Sequence, residues 1–177
     1  LLKDGGRAGV VLPDGFMFGD GVKNTIKEKL LKEYGLHTII RLPQVFKPYA
    51  SVNTNLLFFK KGVASRGVWF YRLDYPEGVK SFSKTKPMKL EHFQPAIDWW
   101  NNREEIIVDE SPKAKKYTVQ EIEALNYNID LCGYPHEEEE ILAPQDLIRN
   151  YREKRASLDA DIDRVLGEIM ALLGNKE

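Results

Sequence analysis

The sequence has very little cysteine: Cys132 is the single one among 177 residues, so the chain can form no internal disulfide bond. Proteins with so few cysteines are typical of reducing compartments, and a cytoplasmic location is expected. Three histidines are scattered over about 100 residues and, with one cysteine, match none of the zinc-site spacings, so we expect no metal centre. Long apolar runs are also missing, since none approaches the roughly 20 residues that a membrane-spanning helix needs.

Several motifs of nucleotide and nucleophile chemistry are absent as well. The chain contains no GxxxxGK[ST] phosphate loop, no GxGxxG stretch and no Pro-Pro pair. No serine stands in the context of a nucleophile elbow, although a Ser/His/Asp triad assembled from distant residues stays open. The Asp-Gly pairs at 14–15 and 20–21 are interpreted as turns, because they follow an apolar run. We therefore expect no complete catalytic site and no complete cofactor site in this chain.

Charge is abundant but unevenly distributed. Residues 1–90 contain 16 Lys and Arg against 7 Asp and Glu, whereas residues 91–177 contain 10 against 20. Such a split indicates two surfaces with different partners, and the basic half could face nucleic acid. The alternative is that the lysines are simply solvated side chains on surface helices.

The first third of the chain has the pattern of an α/β protein. The apolar residues 8–12 predict a strand buried on both faces of a parallel sheet. A helix is predicted for residues 22–34, with a cap at Asp20, a glycine stop at Gly35 and a buried stripe at every fourth residue, which is Val22, Ile26, Leu30 and Tyr34. Residues 37–42 form the next predicted strand, giving a strand–helix–strand unit.

Later segments extend this sheet and then leave it. Residues 53–59 predict a third strand, antiparallel to the second because the connection at 43–52 is too short for a crossover. A fourth strand is predicted at 68–75, with one face covered. Helical spacing follows at Phe93, Ile97 and Trp100, with an irregular start at Pro95. Residues 126–131 look extended, and residues 137–140 form an acidic run.

Two short helices and a long one complete the prediction. Residues 1–6 are interpreted as the end of a helix with a glycine stop, so we expect that the upstream part of the fold is missing. Thr118 and Glu121 predict a capping box for a helix at 118–125. From Pro144 a helix runs to about residue 173, with a heptad seam at Leu158, Ile162, Val165, Ile169 and Leu172. This helix of about 45 Å either packs against another protein or folds back on its own chain.

An ordered set of segments resembles the methylation subunits of type I restriction–modification systems, which are adenine-specific DNA methyltransferases. The segments are DGGRAGVVLPDG at 4–15, FG at 18–19, LP at 42–43, VF at 45–46, NTNLLFFKK at 53–61, VWFY at 68–71, NYNID at 126–130 and PH at 135–136. Each alone is weakly specific, whereas the set in this order spans nearly the whole chain.

The resemblance implies the C-terminal part of a Rossmann-like methyltransferase sheet, in which strand five, a helix, strand six and an antiparallel strand seven close the sheet. The division expected is 1–62 for this part of the core, 63–143 for an extension with a strand, loops and short helices, and 144–177 for a long partner-binding helix. The family's S-adenosylmethionine loop and its Asn/Asp-Pro-Pro-Phe/Tyr motif lie upstream. The chain alone is therefore expected to bind no S-adenosylmethionine and to be inactive.

The resemblance also gives candidates for contact with DNA. In related adenine methyltransferases the segment similar to residues 43–55 lines the pocket of the target base. Phe46 and Tyr49 are then candidates for stacking on a flipped base, and Lys47 for a phosphate contact. The alternatives are a core position for Phe46 and a solvated loop position for Lys47.

The partners implied by the resemblance are DNA, a specificity subunit and a restriction subunit, with the long helix packing against the specificity subunit. Without an inner neighbour, the strand at 8–12 would be an apolar edge, so self-association of the chain is predicted. Two alternatives from other classes are an autonomous α/β interaction module and a DNA-binding module that uses residues 1–90.

Overall fold

The computed structural model describes residues 2–47, 49–50, 52–79, 81–108, 110–133 and 144–174. The predicted acidic run at 137–140 and the Pro-His pair at 135–136 lie outside these ranges. The chain divides into two compact units, Leu1–Glu137 and Glu138–Glu177, each of which is described by itself.

The first unit is built on one mixed sheet. Its strands are β1 Arg7–Pro13, β2 Leu36–Leu42, β3 Thr54–Lys60, β4 Val68–Arg72, β5 Ile106–Val108 and β6 Ser111–Tyr117. They lie side by side in the order β1-β3-β2-β4-β6-β5. β3 runs antiparallel to both β1 and β2, whereas β2 and β4 are parallel. The predicted antiparallel pairing of the second and third strands is confirmed, and β1, β2 and β4 share one direction.

Helices cover both faces of this sheet. The helices described in this unit are α1 Asp14–Met17, α2 Val22–Lys32, α3 Gln94–Asn101 and α4 Val119–Ala124, with a 3₁₀ helix at Leu90–Phe93. On one face the central strands pack against α2 and α4, through Ile39, Leu57, Phe70, Leu31 and Ile122. On the other face they pack against α3, through Ile40, Tyr71 and Trp99. The predicted α/β class is confirmed.

The burial predicted for the first strand is wrong. β1 is hydrogen-bonded to β3 on one side and is the outermost strand of the sheet that the described residues form. Val10 is 37% exposed and Val11 54% exposed, whereas central strands of a covered sheet are buried on both sides. An edge position explains the difference, because neither face of an outermost strand is fully covered.

The predicted buried stripe of α2 is wrong for Val22 and Ile26, whereas Leu30 is partly buried and packs against the core. Val22 and Ile26 are 77% and 44% exposed, and the helix instead buries Lys27 and Leu31. The Lys27 ammonium donates hydrogen bonds to the Met17 carbonyl at 3.2 Å and to the Gly19 carbonyl at 2.8 Å. Burial lowers the pKa of Lys27. A lysine with its polar end bonded in this way occupies a buried position that the apolar pattern does not predict.

The boundaries of α2 differ from the prediction as well. Asp20 does not cap the helix, whose N-terminal boundary residue is Gly21. Gly35 has a φ of 45°, as predicted for a glycine stop. A Cβ at Gly35 would lie 2.5 Å from Val63 Cγ2, so glycine is required there both for backbone conformation and for space.

Of the other local predictions, some are wrong and some are confirmed. Residues 2–6 form a turn and not a helix end, with the Gly6 amide donating to the Lys3 carbonyl. β4 ends at Arg72, before the predicted end at residue 75. The helix predicted around Trp100 is α3, and it begins irregularly through the 3₁₀ helix, as Pro95 indicated. The Thr118–Glu121 capping box of α4 is confirmed.

Four further differences concern short segments. The strands β5 and β6 and the short helix α1 were not predicted. Residues 126–131 are not a strand, and Asn126 and Tyr127 have positive φ values of 52° and 57°.

The second unit contains α5, whose bounds Pro144–Gly174 match the predicted long helix. The residues of its predicted seam are exposed, between 43% for Val165 and 72% for Leu172. Among the described residues no helix combines the length and the apolar character needed to cross a bilayer.

Candidate functional site

The carboxyl ends of β1, β2 and β4 meet at one edge of the sheet, which we call the carboxyl edge. These three strands share a direction, so the segments that follow them emerge together. The segments are α1 after β1, the loop at 43–53 after β2 and the loop at 73–89 after β4. Ligands of open α/β sheets bind outside the carboxyl ends of the strands. The carboxyl edge is therefore the candidate functional site.

A buried arginine organises this edge. The Arg41 side chain is 1% exposed, and its Nη2 lies 2.5 Å from Asp130 Oδ1 and 3.2 Å from Asp14 Oδ1. Its Nε donates to Asn55 Oδ1 at 3.1 Å, and its Nη1 donates to the Gly133 carbonyl at 2.9 Å. We call this group, with Arg41 at its centre, the Arg41 cluster.

The electrostatics of the Arg41 cluster are balanced by its two carboxylates. Burial alone would lower the pKa of Arg41, but Asp130 and Asp14 outweigh that effect and raise it. Arg41 is thus a permanent cation in a nearly dry position, held by groups from three separate parts of the chain. A buried charge of this kind is tolerated when its partners satisfy its hydrogen bonds.

Residues 128–133 cross the carboxyl edge as a strap. The Ile129 amide donates to the Met17 carbonyl at 3.1 Å, and the Ile129 side chain is fully buried in the core. Asp130 and Gly133 bond to Arg41. Cys132 is buried in the same strap, and burial raises the pKa of its thiol to about 12. A nucleophilic cysteine needs a lowered pKa, so Cys132 has a structural role.

The loop at 43–53 presents the aromatic side chains that the sequence singled out. Phe46 is 47% exposed and Tyr49 is 76% exposed, and they share a turn in which the Tyr49 amide donates to the Phe46 carbonyl at 2.8 Å. Phe46 therefore does not occupy the core position that was the alternative for it. Lys47 lies between them and is partly exposed. The structure brings these three candidates together on one turn.

Hydrogen bonds hold both ends of this loop. At its start the Gln44 amide donates to the Tyr75 hydroxyl at 3.2 Å. At its end Asn55 Nδ2 donates to Asp14 Oδ1 at 2.7 Å. Asn55 belongs to the Arg41 cluster, so the position of the aromatic turn depends on that cluster.

Two polar atoms near this loop were not identified from the sequence. Gln44 Oε1 and Thr54 Oγ1 are buried and have no hydrogen-bond partner among the described residues. Buried polar atoms are usually satisfied, and an unsatisfied one requires an explanation. The available signal was the polar Asn-Thr-Asn triplet at 53–55, which opens an otherwise apolar strand.

A separate cavity of about 360 Å³ lies at the opposite edge of the sheet. Its lining includes Arg7, His37, Phe58 and Trp100. Burial, and secondarily the charge of Arg103, lower the pKa of His37. Because the amino ends of β1 and β2 form this edge, the cavity is remote from the loop at 43–53.

Comparison with known proteins agrees with the resemblance seen in the sequence. A sequence model of the family described as N-6 DNA Methylase matches residues 1–141. The methylase subunit of the type I restriction enzyme EcoEI from Escherichia coli is 46% identical over 182 residues. That match covers 99% of this chain and 37% of the relative.

Solved structures give the same result. A modification subunit of a type I restriction enzyme from Vibrio vulnificus YJ016 superposes with a TM-score of 0.61 and 39% identity, over 78% of this chain and 29% of that one. A chain from a structure of the type I R-M system, solved to explain complex assembly and conformational transition, gives a TM-score of 0.63 and 31% identity, over 99% and 37% of the two chains. The chain therefore spans between 29% and 37% of the length of these relatives. The predicted resemblance and fold are confirmed.

Proposed function

Since the chain belongs to the N-6 DNA methylase family, we propose that it is part of an adenine-specific DNA methyltransferase subunit of a type I restriction–modification system. The whole protein transfers a methyl group from S-adenosylmethionine to N6 of adenine in DNA. This chain supplies the wall of the site that faces the target base. Family membership favours this function over an autonomous interaction module or a separate DNA-binding module.

The observation that carries this proposal is the aromatic turn at the carboxyl edge. Phe46 and Tyr49 are exposed, although a solvated loop gains nothing from two large aromatic side chains. Hydrogen bonds hold both ends of their loop, so the turn that carries the rings is positioned before a ligand arrives. An enzyme that modifies a base in duplex DNA flips the base out and stacks it on such groups. Lys47 on the same turn contacts a phosphate of the flipped nucleotide.

The methyl donor is not held by these residues. β1 passes directly into the short helix α1, whose Met17 is fully buried in the core. The strap at 128–133 accepts hydrogen bonds from Arg41 near the carboxyl end of β2. The Arg41 charge is therefore satisfied by protein groups and does not bind the carboxylate of a cofactor. The residues at this edge do not fit S-adenosylmethionine, and no step involving it is derived from them. Its loop is expected in the remainder of the whole protein.

The test is methyl transfer by the complete subunit assembled with its specificity subunit. Transfer of a tritiated methyl group to N6 of adenine is expected with the assembly and not with the chain alone. Phe46→Ala and Tyr49→Ala should each lower kcat/KM by about 5- to 150-fold, because stacking contributes roughly 1–3 kcal/mol per base. Tyr49→Phe keeps the ring and should retain activity. Ile107→Ala, at a side chain 73% exposed on β5, is the matched control.

A second readout separates stacking from general damage. The fluorescence of 2-aminopurine at the target position rises when the base leaves the duplex stack, and this rise should be weakened in Phe46→Ala and Tyr49→Ala. Wild-type rates and wild-type fluorescence in both variants would contradict the role of the aromatic turn. Failure of the assembled wild-type subunit to methylate adenine would contradict the proposed function itself.

The same proposal assigns partners to the other surfaces. The exposed seam of α5 packs against helices of the specificity subunit, and the restriction subunit joins the same assembly. Ile162→Glu combined with Val165→Glu should abolish co-purification with the specificity subunit while the unfolding curve of the first unit stays unchanged. Unchanged co-purification would refute this use of the seam. We also infer a cytoplasmic location, which the single cysteine supports.

Self-association of the isolated chain is part of the proposal. β1 has an exposed apolar edge, and such edges pair with other strands. Sedimentation of the chain should show a dimer that increases with concentration. Replacing Val11 with lysine places a charge on this edge and should shift the chain to monomer. A strictly monomeric wild-type chain at high concentration would show that β1 does not pair.

A further inference from the structure

The loop that follows β4 contains a short turn rich in lysine. The Ser83 amide donates to the Lys86 carbonyl at 3.0 Å, and the Lys86 amide donates to the Ser83 carbonyl at 3.2 Å. The Ser83 hydroxyl accepts a further bond from the Lys86 amide at 3.1 Å. These bonds close a tight turn with Lys84 and Thr85 at its tip. We call residues 83–86 the lysine turn.

The lysine turn is anchored on both sides. Phe82, immediately before it, is 2% exposed and stacks on His92 with ring centroids 5.3 Å apart. Met88, shortly after it, packs partly buried against the core around α3. A turn held by its own hydrogen bonds and by two apolar anchors loses little conformational entropy when it binds a ligand.

The charge of the lysine turn is not neutralised by nearby carboxylates. Lys84 and Lys86 are exposed, and neither forms an ion pair among the described residues. Lys113 on β6, by contrast, pairs at 2.9 Å with Asp74, which lies at the start of the loop after β4. Residues 78–90 contain no Asp or Glu in the sequence. Two unneutralised ammonium groups on a pre-formed turn are suited to a ligand with closely spaced negative charges.

The lysine turn also lies beside the aromatic turn. Tyr75 accepts the hydrogen bond from the Gln44 amide, two residues before Phe46. The Tyr75 ring contacts the Phe82 ring, with centroids 5.5 Å apart. This continuous connection joins the loop after β2 to the loop after β4 at the carboxyl edge. A ligand that reaches Phe46 and Tyr49 and extends along this edge meets Lys84 and Lys86.

We propose that Lys84 and Lys86 bind phosphates of the DNA duplex next to the base held at the aromatic turn. This inference rests on the proposed function, because the duplex is the polyanion that the adjoining site would receive. Lysine acts as a point charge towards phosphate, so the contact contributes affinity and position without reading the base sequence. The lysine turn sets the direction in which the duplex leaves the carboxyl edge.

The test compares two double variants of the 177-residue chain. Lys84→Gln with Lys86→Gln removes the proposed contacts. Lys29→Gln with Lys60→Gln removes the same charge from exposed positions near the opposite edge, at the end of α2 and the end of β3. Binding to a fluorescein-labelled mixed-sequence duplex is followed by anisotropy over a range of salt concentrations, and far-UV circular dichroism checks that each variant folds.

The expected result is a change in salt dependence. Each phosphate contact contributes about 0.9 to the slope of log K against log salt, so the first double variant should lose about 1.8. Between about 1 M and about 0.1 M salt, a slope smaller by 1.8 makes duplex binding by this variant weaker than wild-type binding by up to roughly 50-fold at the lower concentration. Lys84→Arg with Lys86→Arg keeps both charges and should retain the wild-type slope. The control variant should lose clearly less than the first.

Three outcomes would overturn the inference. They are a wild-type chain that does not bind the duplex at low salt, an unchanged slope in Lys84→Gln with Lys86→Gln, and an equal loss in the control. The proposed function is decided separately by methyl transfer in the complete assembly. An unchanged slope together with intact methyl transfer would refute the lysine turn alone. A lost slope without methyl transfer would leave the lysine turn standing and refute the proposed function.

Discussion

Removing the buried cation Arg41 should destabilise the first unit strongly. Arg41→Met keeps much of the side-chain volume but removes four polar contacts, to Asp14, Asn55, Asp130 and the Gly133 carbonyl. Deleting one partner of a buried ion pair typically costs about 3–5 kcal/mol. The two carboxylates left behind are 15% and 17% exposed, so water relieves part of the penalty. We therefore expect a loss of about 3 kcal/mol in the free energy of unfolding.

A surface ion pair of almost equal length provides the control. Lys32 Nζ lies 2.6 Å from Glu28 Oε1, close to the 2.5 Å between Arg41 and Asp130. The Lys32 and Glu28 side chains are 53% and 39% exposed, however, and solvated pairs contribute little to stability. Lys32→Met should therefore leave the unfolding midpoint unchanged. The comparison separates the effect of burial from the effect of distance.

The assay is urea unfolding followed by tryptophan fluorescence, which reports on Trp69, Trp99 and Trp100 in the first unit. Asp130→Asn should cost about 1–3 kcal/mol, the range for a hydrogen bond to a charged group. The double variant should be more stable than the sum of the single losses predicts, by about 1–2 kcal/mol, because the two groups share one interaction. A loss for Arg41→Met as small as that for Lys32→Met, or additive losses in the double variant, would refute the role assigned to the Arg41 cluster.

Three further predictions concern other parts of the fold. Because burial raises the pKa of Cys132 to about 12, iodoacetamide should modify the native chain only as fast as it unfolds, and modification at the free-thiol rate in native buffer would contradict this. The raised pKa also implies that the un-ionised Cys132 thiol stabilises the fold fully below the ordinary thiol pKa near 9, and that this stabilisation is lost as the pH rises towards about 12. Cys132→Ala should therefore reduce the dependence of the free energy of unfolding on pH between about 9 and 12. Gly35→Ala should cost about 1–3 kcal/mol, since φ is 45° and the new Cβ would meet Val63; Gly78→Ala, also at positive φ but in open space, should cost less in the same urea titration. Thr118→Ala should lower stability by about 1 kcal/mol through loss of the confirmed capping box, whereas Thr118→Ser should restore it, and equal midpoints for the two variants would argue against the cap.

The relative direction of β2 and β3 could be predicted because it depends on the length of the loop that connects them. The connection at 43–52 is too short for a crossover, so β3 had to run antiparallel to β2, and it does. The buried face of α2 could not be predicted from apolar spacing. Lys27 is buried because its ammonium reaches the carbonyls of Met17 and Gly19, which belong to a loop whose path the helix sequence does not encode.

The strand β6 was missed for a related reason. Its sequence SPKAKKY contains three lysines and a proline, which argue against a strand. In the structure Lys113 pairs with Asp74, and the Lys115 and Lys116 ammonium groups lie over the rings of Tyr117 and Trp69. Trp69 belongs to β4 and Asp74 to the loop that follows it, so Lys113 and Lys116 gain these partners only once β4 is beside β6.

The candidate site shows the same division. Phe46, Lys47 and Tyr49 lie within four residues, and the sequence singled them out through the family resemblance. The Arg41 cluster gave no such signal, because its members lie between residues 14 and 133 and no local pattern connects them. The lysine turn was visible as charge, but its position beside the aromatic turn depends on the contacts of Tyr75.

The strand order also has a consequence for how the chain folds. β1 has no partner in the first unit until β3 is synthesised, since Arg7 pairs with Lys60. The ion pair between Arg41 and Asp130 can form only after Asp130, which lies 89 residues later in the chain, has been synthesised. Contacts of such long sequence separation form slowly because they require the closure of large loops. The sheet therefore cannot reach its final state during synthesis until the strap has left the ribosome, and a segment made long after the strands β1 to β4 neutralises the deeply buried charge of Arg41.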